Sequence, residues 1–121
     1  EDERTVAFLD ANPLARGHTV VIPKEHHEHV QDMPDALARD VFAAIRTVVA
    51  RVEAAVDADA TNVGFNNGEV AGQMVPHVHG HVVPRFEGDD GRNFHAVAAG
   101  QADLSDEEMA AIAEDVREAG D

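Results

Sequence analysis

One stretch in the second half of the chain decides the fold: His77-Val78-His79-Gly80-His81-Val82-Val83-Pro84-Arg85. Its three histidines stand at alternate positions, and side chains on an extended strand alternate between the two faces. The pattern therefore predicts a strand with the histidine row on one face and Val78, Gly80 and Val82 on the other. The β-branched valines favour a strand, and Pro84 is typical of a strand end or edge.

The histidine row is a candidate catalytic or metal site. Imidazole is suited to proton transfer, nucleophilic attack and metal binding near neutral pH. A purely structural role for three alternating histidines is the less favoured interpretation. Zinc takes histidine ligands, and because the chain has no cysteine, such a site would need histidine and carboxylate ligands. The spacing alone leaves nucleophilic and metal chemistry equally open.

The segments around the row carry a family resemblance. The approach to the row is Asn66-Asn67-Gly68-Glu69-Val70-Ala71-Gly72-Gln73-Met74-Val75-Pro76, and the upstream pieces are Phe8-Leu9-Asp10-Ala11-Asn12-Pro13 and Arg16-Gly17-His18-Thr19-Val20-Val21-Ile22-Pro23-Lys24-Glu25-His26. Together they resemble the histidine triad (HIT) superfamily, whose signature is three histidines separated by single apolar residues, preceded by Ala-Gly-Gln and followed by Pro-Arg. The resemblance covers about residues 5 to 85.

The resemblance implies catalytic roles for four histidines. His79 would be the nucleophile on an α-phosphate and would form a nucleotidyl-histidine intermediate, with the backbone carbonyl of His77 orienting its ring. His81 would contact phosphoryl oxygens and help the leaving group. His18 would hydrogen-bond into the triad and support His77. A neutral imidazole can attack phosphorus without first losing a proton. The covalent intermediate that it forms divides one difficult displacement into two easier ones.

The resemblance also implies a set of substrate-binding residues. Asp10 would hold the ribose hydroxyls, and Asn66 would reach the ribose or phosphate. The base pocket would be lined by Phe8, Leu9 and Ala11. Phosphoryl oxygens would be stabilised around Gly72, Gln73 and Met74, through backbone amides and the Gln73 side chain. From the residues alone, Asp10 and Asn66 would be interpreted as ordinary turn residues, and a turn role for Gly72 is as well supported as a role at the phosphoryl oxygens.

Two positions depart from the family pattern. Met74 stands where the phosphoramidase branch usually has serine, and a methionine offers no comparable hydroxyl donor. Gly80 stands where a larger apolar residue is usual, which predicts lost packing and a locally looser strand. The Pro84-Arg85 end of the motif resembles the diadenosine polyphosphate hydrolase branch as much as the phosphoramidase branch.

A second cluster of histidines, His26, His27 and His29, lies beside Glu25 and Glu28. We interpret it as a solvated loop, although His26 matches a histidine often found after the family's Pro-Lys. His95 is interpreted as a lone surface histidine.

Composition limits the class of protein. With 121 residues and 44% hydrophobic residues, the chain is expected to form one domain over residues 1–121 with a modest core. No apolar run is long enough for a bilayer and no signal-peptide pattern opens the chain, so a cytoplasmic protein without membrane partners is expected. The resemblance implies a further N-terminal strand and helix, so part of the domain is expected to be missing.

The chain is strongly acidic. Asp and Glu number 24 against 9 Lys and Arg, a formal net charge of −15. Molar salt shortens the Debye length to about 3 Å, which would relieve the self-repulsion of such a surface. We therefore expect a halophilic source, in preference to a basic partner. Binding of nucleic acid is not expected, because it requires a basic face.

The order of predicted elements indicates an α+β fold. Strands are predicted at 5–9, 18–22, 61–65 and 77–85. A long helix is predicted from the Asp32-Met33-Pro34-Asp35 start, and its apolar stripe comprises Leu37, Val41, Ile45, Val48, Val52 and Val56. A shorter helix follows the capping box of Ser105 and Glu108. The resemblance adds an antiparallel sheet of about five strands and a homodimer.

The best-supported function is therefore a nucleotide hydrolase or transferase that releases AMP from an adenosine phosphoramidate or a diadenosine polyphosphate. No cofactor is expected to be required, although a divalent ion could accompany polyphosphate substrates. A nucleotide-binding or scaffold protein with little turnover is the alternative from another class. A zinc-dependent hydrolase is the less favoured third.

Overall fold

The computed structural model describes residues 1–93, 96, 100 and 102–120. The chain forms two compact units, residues 1–91 and 92–121. One domain over residues 1–121 stays a prediction, and His95 lies outside the described residues. Neither helix in the described part is long and apolar enough to cross a membrane.

The first unit contains an antiparallel sheet with the strand order β1-β2-β4-β3. The strands are β1 (Thr5–Leu9), β2 (Thr19–Pro23), β3 (Ala60–Phe65) and β4 (Gly80–Arg85). The predicted α+β class with an antiparallel sheet is confirmed. The described residues form four strands, one fewer than the five or so that the family resemblance implies.

The long helix α1 (Asp35–Val56) covers one face of the sheet. Its predicted stripe forms the core, since the buried side chains of Leu37, Val41 and Ile45 pack with Val21 of β2 and Val82 of β4. Side chains at three- and four-residue spacing lie on one side of a helix, and burying them against a sheet supplies most of its stability.

The start of α1 differs slightly from the prediction. The helix begins at Asp35 with Pro34 as its N-cap, and Val30–Asp32 forms a separate short 3-10 helix. Because proline has no N–H and fixes its own φ angle, it suits the junction between the two. A second 3-10 helix, Glu69–Ala71, lies in the loop before the histidines.

Strand register separates the two faces of the sheet. Val20 pairs with His81 across β2 and β4, and with Phe8 across β1 and β2. Directly opposed residues project from the same face. His81 therefore lies on the face away from α1, whereas its neighbour Val82 is fully buried in the core beneath the helix.

The second unit contains helix α2 (Asp106–Glu118). The predicted capping box is confirmed: Glu108 N–H donates to the Ser105 hydroxyl at 3.1 Å, and Ser105 N–H donates to the Glu108 carboxylate at 3.2 Å. Three acidic residues in its first turn are favourable at a helix N-terminus.

Candidate active site

The three histidines of the row do not share one strand, which corrects the prediction from their spacing. Only His81 lies in β4; His77 and His79 precede it. The reason is a tight turn, in which His77 N–H donates to the carbonyl of Val75 at 2.8 Å. The next amide, that of Val78, donates to the carbonyl of His27 at 2.7 Å and so pairs with a loop instead of with β2.

The predicted division into two faces nevertheless holds. Val78, Gly80 and Val82 are buried, while His77, His79 and His81 are each partly exposed. The apolar half of the motif packs inward and the imidazoles face the solvent-accessible side.

His79 is oriented by its own backbone neighbour. Its Nδ1 lies 2.7 Å from the carbonyl oxygen of His77. Because a carbonyl oxygen only accepts hydrogen bonds, the proton of a neutral His79 is on Nδ1 and the lone pair is on Nε2. The contact is the one that the resemblance implies between these two residues.

The His77 ring is anchored to the end of β2. Its Nε2 donates to the carbonyl of Pro23 at 2.9 Å, and its Nδ1 faces Nδ1 of His26 at 3.1 Å. The two rings are stacked, with centroids 5.1 Å apart. With His77 neutral, His26 must donate this bond, so His26 is part of the support for the site and not only a solvated loop residue. In the sequence, the position of His26 shortly after Pro23-Lys24 is the feature that indicates this supporting role.

His18 hydrogen-bonds to the histidine row as the resemblance implies, but its partner is His81 and not the predicted His77. Nε2 of His18 lies 2.9 Å from Nδ1 of His81. The sheet register explains this, because β2 lies directly beside β4 and Val20, the residue that pairs with His81, is only two positions after His18. His18 is almost completely buried, with 2% of its surface exposed.

Asp10 completes this cluster from the end of β1. Its backbone N–H donates to the carbonyl of His18 at 2.9 Å, which continues the β1–β2 pairing by one residue. One carboxylate oxygen accepts from Asn12 N–H at 2.8 Å, as in an Asx turn. The other lies 3.6 Å from Nε2 of His18 and 3.9 Å from Nδ1 of His81. Asp10 therefore serves the turn and faces the site as well.

Burial is the main influence on the charge of this cluster. It lowers the pKa of His18, and the nearby Asp10 carboxylate opposes the shift only in part. Burial also lowers the pKa of His81, with repulsion from His79 and His18 acting in the same direction and Asp10 against it. Both imidazoles are therefore biased toward the neutral form near pH 7.

Asp10, His18 and His81 are also the group of described residues whose donor atoms could hold a metal, since all three atoms lie within 4.8 Å of one another. Donors on a tetrahedral zinc at about 2.0–2.1 Å lie roughly 3.3 Å apart. The 2.9 Å between the two ring nitrogens is a hydrogen-bond distance. A metal at this place would first have to break that bond.

The side chain of Gln73 is committed to the loop before the histidines. Its carbonyl oxygen accepts from Gly68 N–H at 2.8 Å, and its amide donates to the carbonyls of Glu28 at 2.7 Å and Val75 at 3.0 Å. Both amide hydrogens are used, so the side chain is not available for phosphoryl oxygens as predicted. It holds the loop in place instead.

The residues beside Gln73 are open to solvent. Gly72 has a φ angle of 100°, a conformation that favours glycine, so the turn role of this residue is real. Met74 is 91% exposed. Asn66 is exposed and lies next to Gly72, in van der Waals reach of the position a Cβ would take there.

The predicted base-pocket residues lie at the end of β1. Phe8 is about half exposed, on the same sheet face as His81, and Leu9 and Ala11 are exposed. A cleft of about 350 Å³ follows the loop from Leu9 to His18 and includes Asp10. The structure thus brings Phe8 and Asp10 to the histidine face, while Leu9 and Ala11 border the loop beside it.

Gly80 is tightly enclosed, which corrects the prediction of lost packing. A Cβ added to Gly80 would lie 2.8 Å from Cδ1 of Ile45 and 2.9 Å from Cζ of Phe65. The volume that a larger residue would occupy is therefore filled by α1 and β3.

The first unit is thus an antiparallel sheet with one covering helix, and a group of contacting histidine rings that includes His18, His79 and His81 lies at the opposite side. The family model described as "HIT domain" matches residues 1–88. The chain belongs to the HIT domain family.

Its relatives include proteins with and without a named activity. An uncharacterized HIT-like protein of Methanocaldococcus jannaschii is 46% identical over 89 residues, covering 74% of this chain and 68% of the relative. A bis(5'-nucleosyl)-tetraphosphatase of Schizosaccharomyces pombe is 36% identical over 74% of this chain and 49% of its own length. An adenylylsulfatase of Arabidopsis thaliana is 34% identical over 74% of this chain and 45% of its own length.

A solved structure agrees with the fold. The crystal structure of a Streptococcus mutans protein matches with a TM-score of 0.87 at 37% identity, covering 98% of this chain and 73% of that one.

Proposed function

We propose that this chain is a nucleotide hydrolase or transferase that cleaves a bond to the α-phosphate through a covalent nucleotidyl-His79 intermediate. The observation that carries the proposal is the 2.7 Å hydrogen bond from Nδ1 of His79 to the His77 carbonyl. It leaves Nε2 with a lone pair and no proton to lose, which is the requirement for an imidazole nucleophile.

The reaction has two displacements. Nε2 of His79 forms a bond to the α-phosphorus while the bond to the leaving group breaks, and the leaving group departs with the electron pair. Water, or another acceptor in a transferase, then forms a bond to the same phosphorus while the bond from phosphorus to Nε2 breaks. The ring regains its lone pair, the nucleotide is released and the proton of the attacking oxygen passes to solvent. Throughout, the His77 carbonyl holds the Nδ1 proton and stabilises the positive charge that develops on the ring.

Substrate contacts are proposed for residues on the same sheet face. Asp10 accepts from the ribose hydroxyls through the oxygen that its turn does not use. Phe8 packs against the base, with Leu9 and Ala11 at the border of the pocket. Asn66 and the backbone amide of Met74 are proposed for ribose and phosphoryl oxygens. The predicted amides of Gly72 and Gln73 are used within the loop, where they donate to the carbonyls of Glu69 at 2.9 Å and Gly68 at 3.1 Å. His81 contacts the phosphoryl group or leaving group, and His18 positions it.

The names of two relatives support this substrate class. A bis(5'-nucleosyl)-tetraphosphatase and an adenylylsulfatase both act on a nucleotide joined to a second anionic group. We propose AMP as the released nucleotide, with an adenosine phosphoramidate or a diadenosine polyphosphate as the substrate. No cofactor is needed to form the nucleophile, although a divalent ion could accompany a polyphosphate.

The test is the comparison of turnover and binding in His79 variants. His79→Ala and His79→Asn should reduce AMP release by at least about a thousandfold, as expected for loss of a nucleophile, while AMP binding by calorimetry stays within a fewfold of wild type. His29→Asn is the matched control, since His29 lies outside the cluster and should keep full turnover. Turnover that persists in both His79 variants would overturn the proposal. AMP binding without turnover in the wild-type chain would instead favour a binding or scaffold protein.

A zinc-dependent hydrolase is the second candidate, because Asp10, His18 and His81 lie close enough to share an ion. Stoichiometric zinc after purification without chelators, together with activity lost to EDTA and restored by zinc, would favour it. Full activity after exhaustive EDTA treatment is the result expected from covalent catalysis by His79.

Five further properties are proposed, the homodimer from the family resemblance and the others from the sequence. The protein is a homodimer in the cytoplasm of a halophilic organism, and it uses neither nucleic acid nor membrane partners. Light scattering after gel filtration in molar salt tests the dimer directly: a mass near twice 13.0 kDa supports it and a mass near 13.0 kDa contradicts it.

A further inference from the structure

We infer that His81 acts as a neutral hydrogen-bond donor through Nε2. The backbone N–H of Leu14 holds His81 in that form by acting through His18. The site therefore prefers leaving groups that depart as oxyanions over leaving groups that depart as amines. The inference rests on the proposed function and specifies its substrate class. Four observations on the first unit carry it: two hydrogen bonds, the position of the Asp10 carboxylate and an unpartnered ring nitrogen.

The first contact fixes the proton on His18. The backbone N–H of Leu14 donates to Nδ1 of His18 at 3.0 Å. A backbone amide only donates, so Nδ1 of His18 has to accept and carries no proton. The single proton of a neutral His18 ring is therefore on Nε2.

The second contact passes this choice to His81. Nε2 of His18 lies 2.9 Å from Nδ1 of His81. Because His18 supplies the proton in this bond, Nδ1 of His81 accepts it and carries none. The proton of a neutral His81 is therefore on Nε2, although nothing in the His81 ring itself requires that tautomer.

The same chain of contacts opposes a positive charge on His81. A cationic His81 would carry a proton on Nδ1, directed at the proton already on Nε2 of His18. His18 could accept that bond only by moving its own proton to Nδ1, which would then meet the N–H of Leu14. Every arrangement with a charged His81 loses at least one of the two bonds.

Asp10 acts in the opposite direction but without a hydrogen bond. Its carboxylate oxygen lies 3.6 Å from Nε2 of His18 and 3.9 Å from Nδ1 of His81. The attraction favours charge on the pair, yet the distances are too long to replace either bond. The two hydrogen bonds therefore keep the His18–His81 pair neutral.

The fourth observation concerns the far nitrogen of His81. Nε2 is buried and has no hydrogen-bond partner among the described residues. A buried donor without a partner is energetically unfavourable, and the His79 ring lies edge-on to the His81 ring, with the two centroids 5.0 Å apart. A donor beside the nucleophile, with no protein acceptor, is suited to an oxygen of the substrate.

The chemical consequence depends on the leaving atom. When the bond from phosphorus to an anhydride or ester oxygen breaks, the oxygen leaves with the electron pair as an anion, and the Nε2–H of His81 stabilises it without transferring a proton. An amine leaving group has to gain a proton as the P–N bond breaks. A neutral His81 is far too weak an acid to supply it, and full transfer would leave an imidazolate.

The ring tautomer is measured first, on the unliganded wild-type chain. Two-bond ¹⁵N–¹H correlation spectra at pH 7.5 in high salt, assigned with His18→Gln and His81→Gln, should show His81 with a protonated Nε2 and a bare Nδ1. The opposite tautomer, or a charged ring, would overturn the inference whether or not turnover is observed.

The leaving-group preference is measured with a matched pair of compounds, adenosine 5'-(4-nitrophenyl phosphate) and the corresponding 4-nitroanilidate. In the wild type, the ester-to-anilide ratio of kcat/KM should exceed the ratio of the two uncatalysed hydrolysis rates at the same pH by at least about a hundredfold, the lower end of what a general acid contributes. A ratio equal to or below the uncatalysed one would contradict the inference and leave covalent catalysis by His79 intact. No AMP release and no protein adduct with either compound would instead overturn the proposed function.

A pair of variants tests the role of the Leu14 amide. Leu14→Pro removes the N–H, whereas Leu14→Ala keeps it and changes only a side chain that is 79% exposed. The anilide-to-ester ratio of kcat/KM should rise about tenfold in Leu14→Pro, the equivalent of one hydrogen bond of ordinary net strength, and stay at the wild-type value in Leu14→Ala. An unchanged ratio in a folded Leu14→Pro would refute the role of the amide.

Discussion

The imidazole rings of His18 and His81 are joined by a hydrogen bond of 2.9 Å between Nε2 of the first and Nδ1 of the second. The bond crosses from the start of β2 to β4 and connects the loop between β1 and β2 to the histidine row. His79 is held separately, by the carbonyl of His77 at 2.7 Å. His79, the proposed nucleophile, and His81, the proposed hydrogen-bond donor, are thus oriented by two independent sets of contacts.

Asp10 should contribute affinity through the ribose. Asp10→Asn keeps an acceptor for the Asn12 amide and should lower AMP affinity by about tenfold, as expected for one charged hydrogen bond. Calorimetry with 2',3'-dideoxy-AMP provides the control, because the variant should then bind as well as the wild type. Equal AMP affinity in both proteins would remove this role from Asp10.

Gly80 should not tolerate a larger residue. In Gly80→Ala the new methyl group would lie 2.8 Å from Cδ1 of Ile45, and overpacking of this kind costs about 1–3 kcal/mol of unfolding free energy. Ile45→Val removes the atom that the new methyl group would meet. Gly80→Ala should therefore cost less unfolding free energy in an Ile45→Val background than in the wild type. Urea unfolding measures each value, and a Gly80→Ala variant as stable as wild type would contradict the packing.

Acid should destabilise the fold through His18 and His81. The pKa of each is lowered by burial, so the unfolded state binds their protons first, beginning near the ordinary value of about 6.5. Their contribution to stability is therefore complete above that pH and is lost as the pH falls through the range below it. Thermal unfolding from pH 8 to 5 in molar salt should show a falling Tm, with a smaller fall in His18→Gln. A Tm that rises on acidification would contradict the assignment.

Salt should stabilise the protein. The formal net charge of −15 makes the folded chain repel itself when few counterions are present. Circular dichroism and urea unfolding should show greater stability at molar KCl than at millimolar KCl, where part of the structure is lost. Full stability at millimolar KCl would contradict the proposed adaptation to high salt.

Much of the fold follows from local patterns. The stripe of Leu37, Val41 and Ile45 predicted α1 because its spacing matches one helix face, and those side chains form the core. The alternation around His81 predicted which residues are buried. The helical spacing and the alternation each recur over several residues, and the tertiary contacts of the fold do not override either pattern.

The long-range contacts could not be predicted in the same way. The hydrogen-bond partner of His18 depends on which strand lies beside β2 in the sheet. The hydrogen bonds of the Gln73 side chain depend on three backbone groups from two loops. The predicted start of the histidine strand at His77 is wrong, because the turn at Val75 and the hydrogen bond from Val78 to His27 replace a regular ladder there. Such features are set by tertiary structure and leave no periodic signal.

The most direct test of covalent catalysis is intact-protein mass spectrometry after brief mixing with an adenosine 5'-aryl phosphate in high salt and an acid quench. The account predicts an adduct of one AMP per chain, located at His79 by peptide mapping and absent in His79→Ala. Steady release of AMP without an adduct at any quench time, together with turnover in His79→Ala, would contradict it.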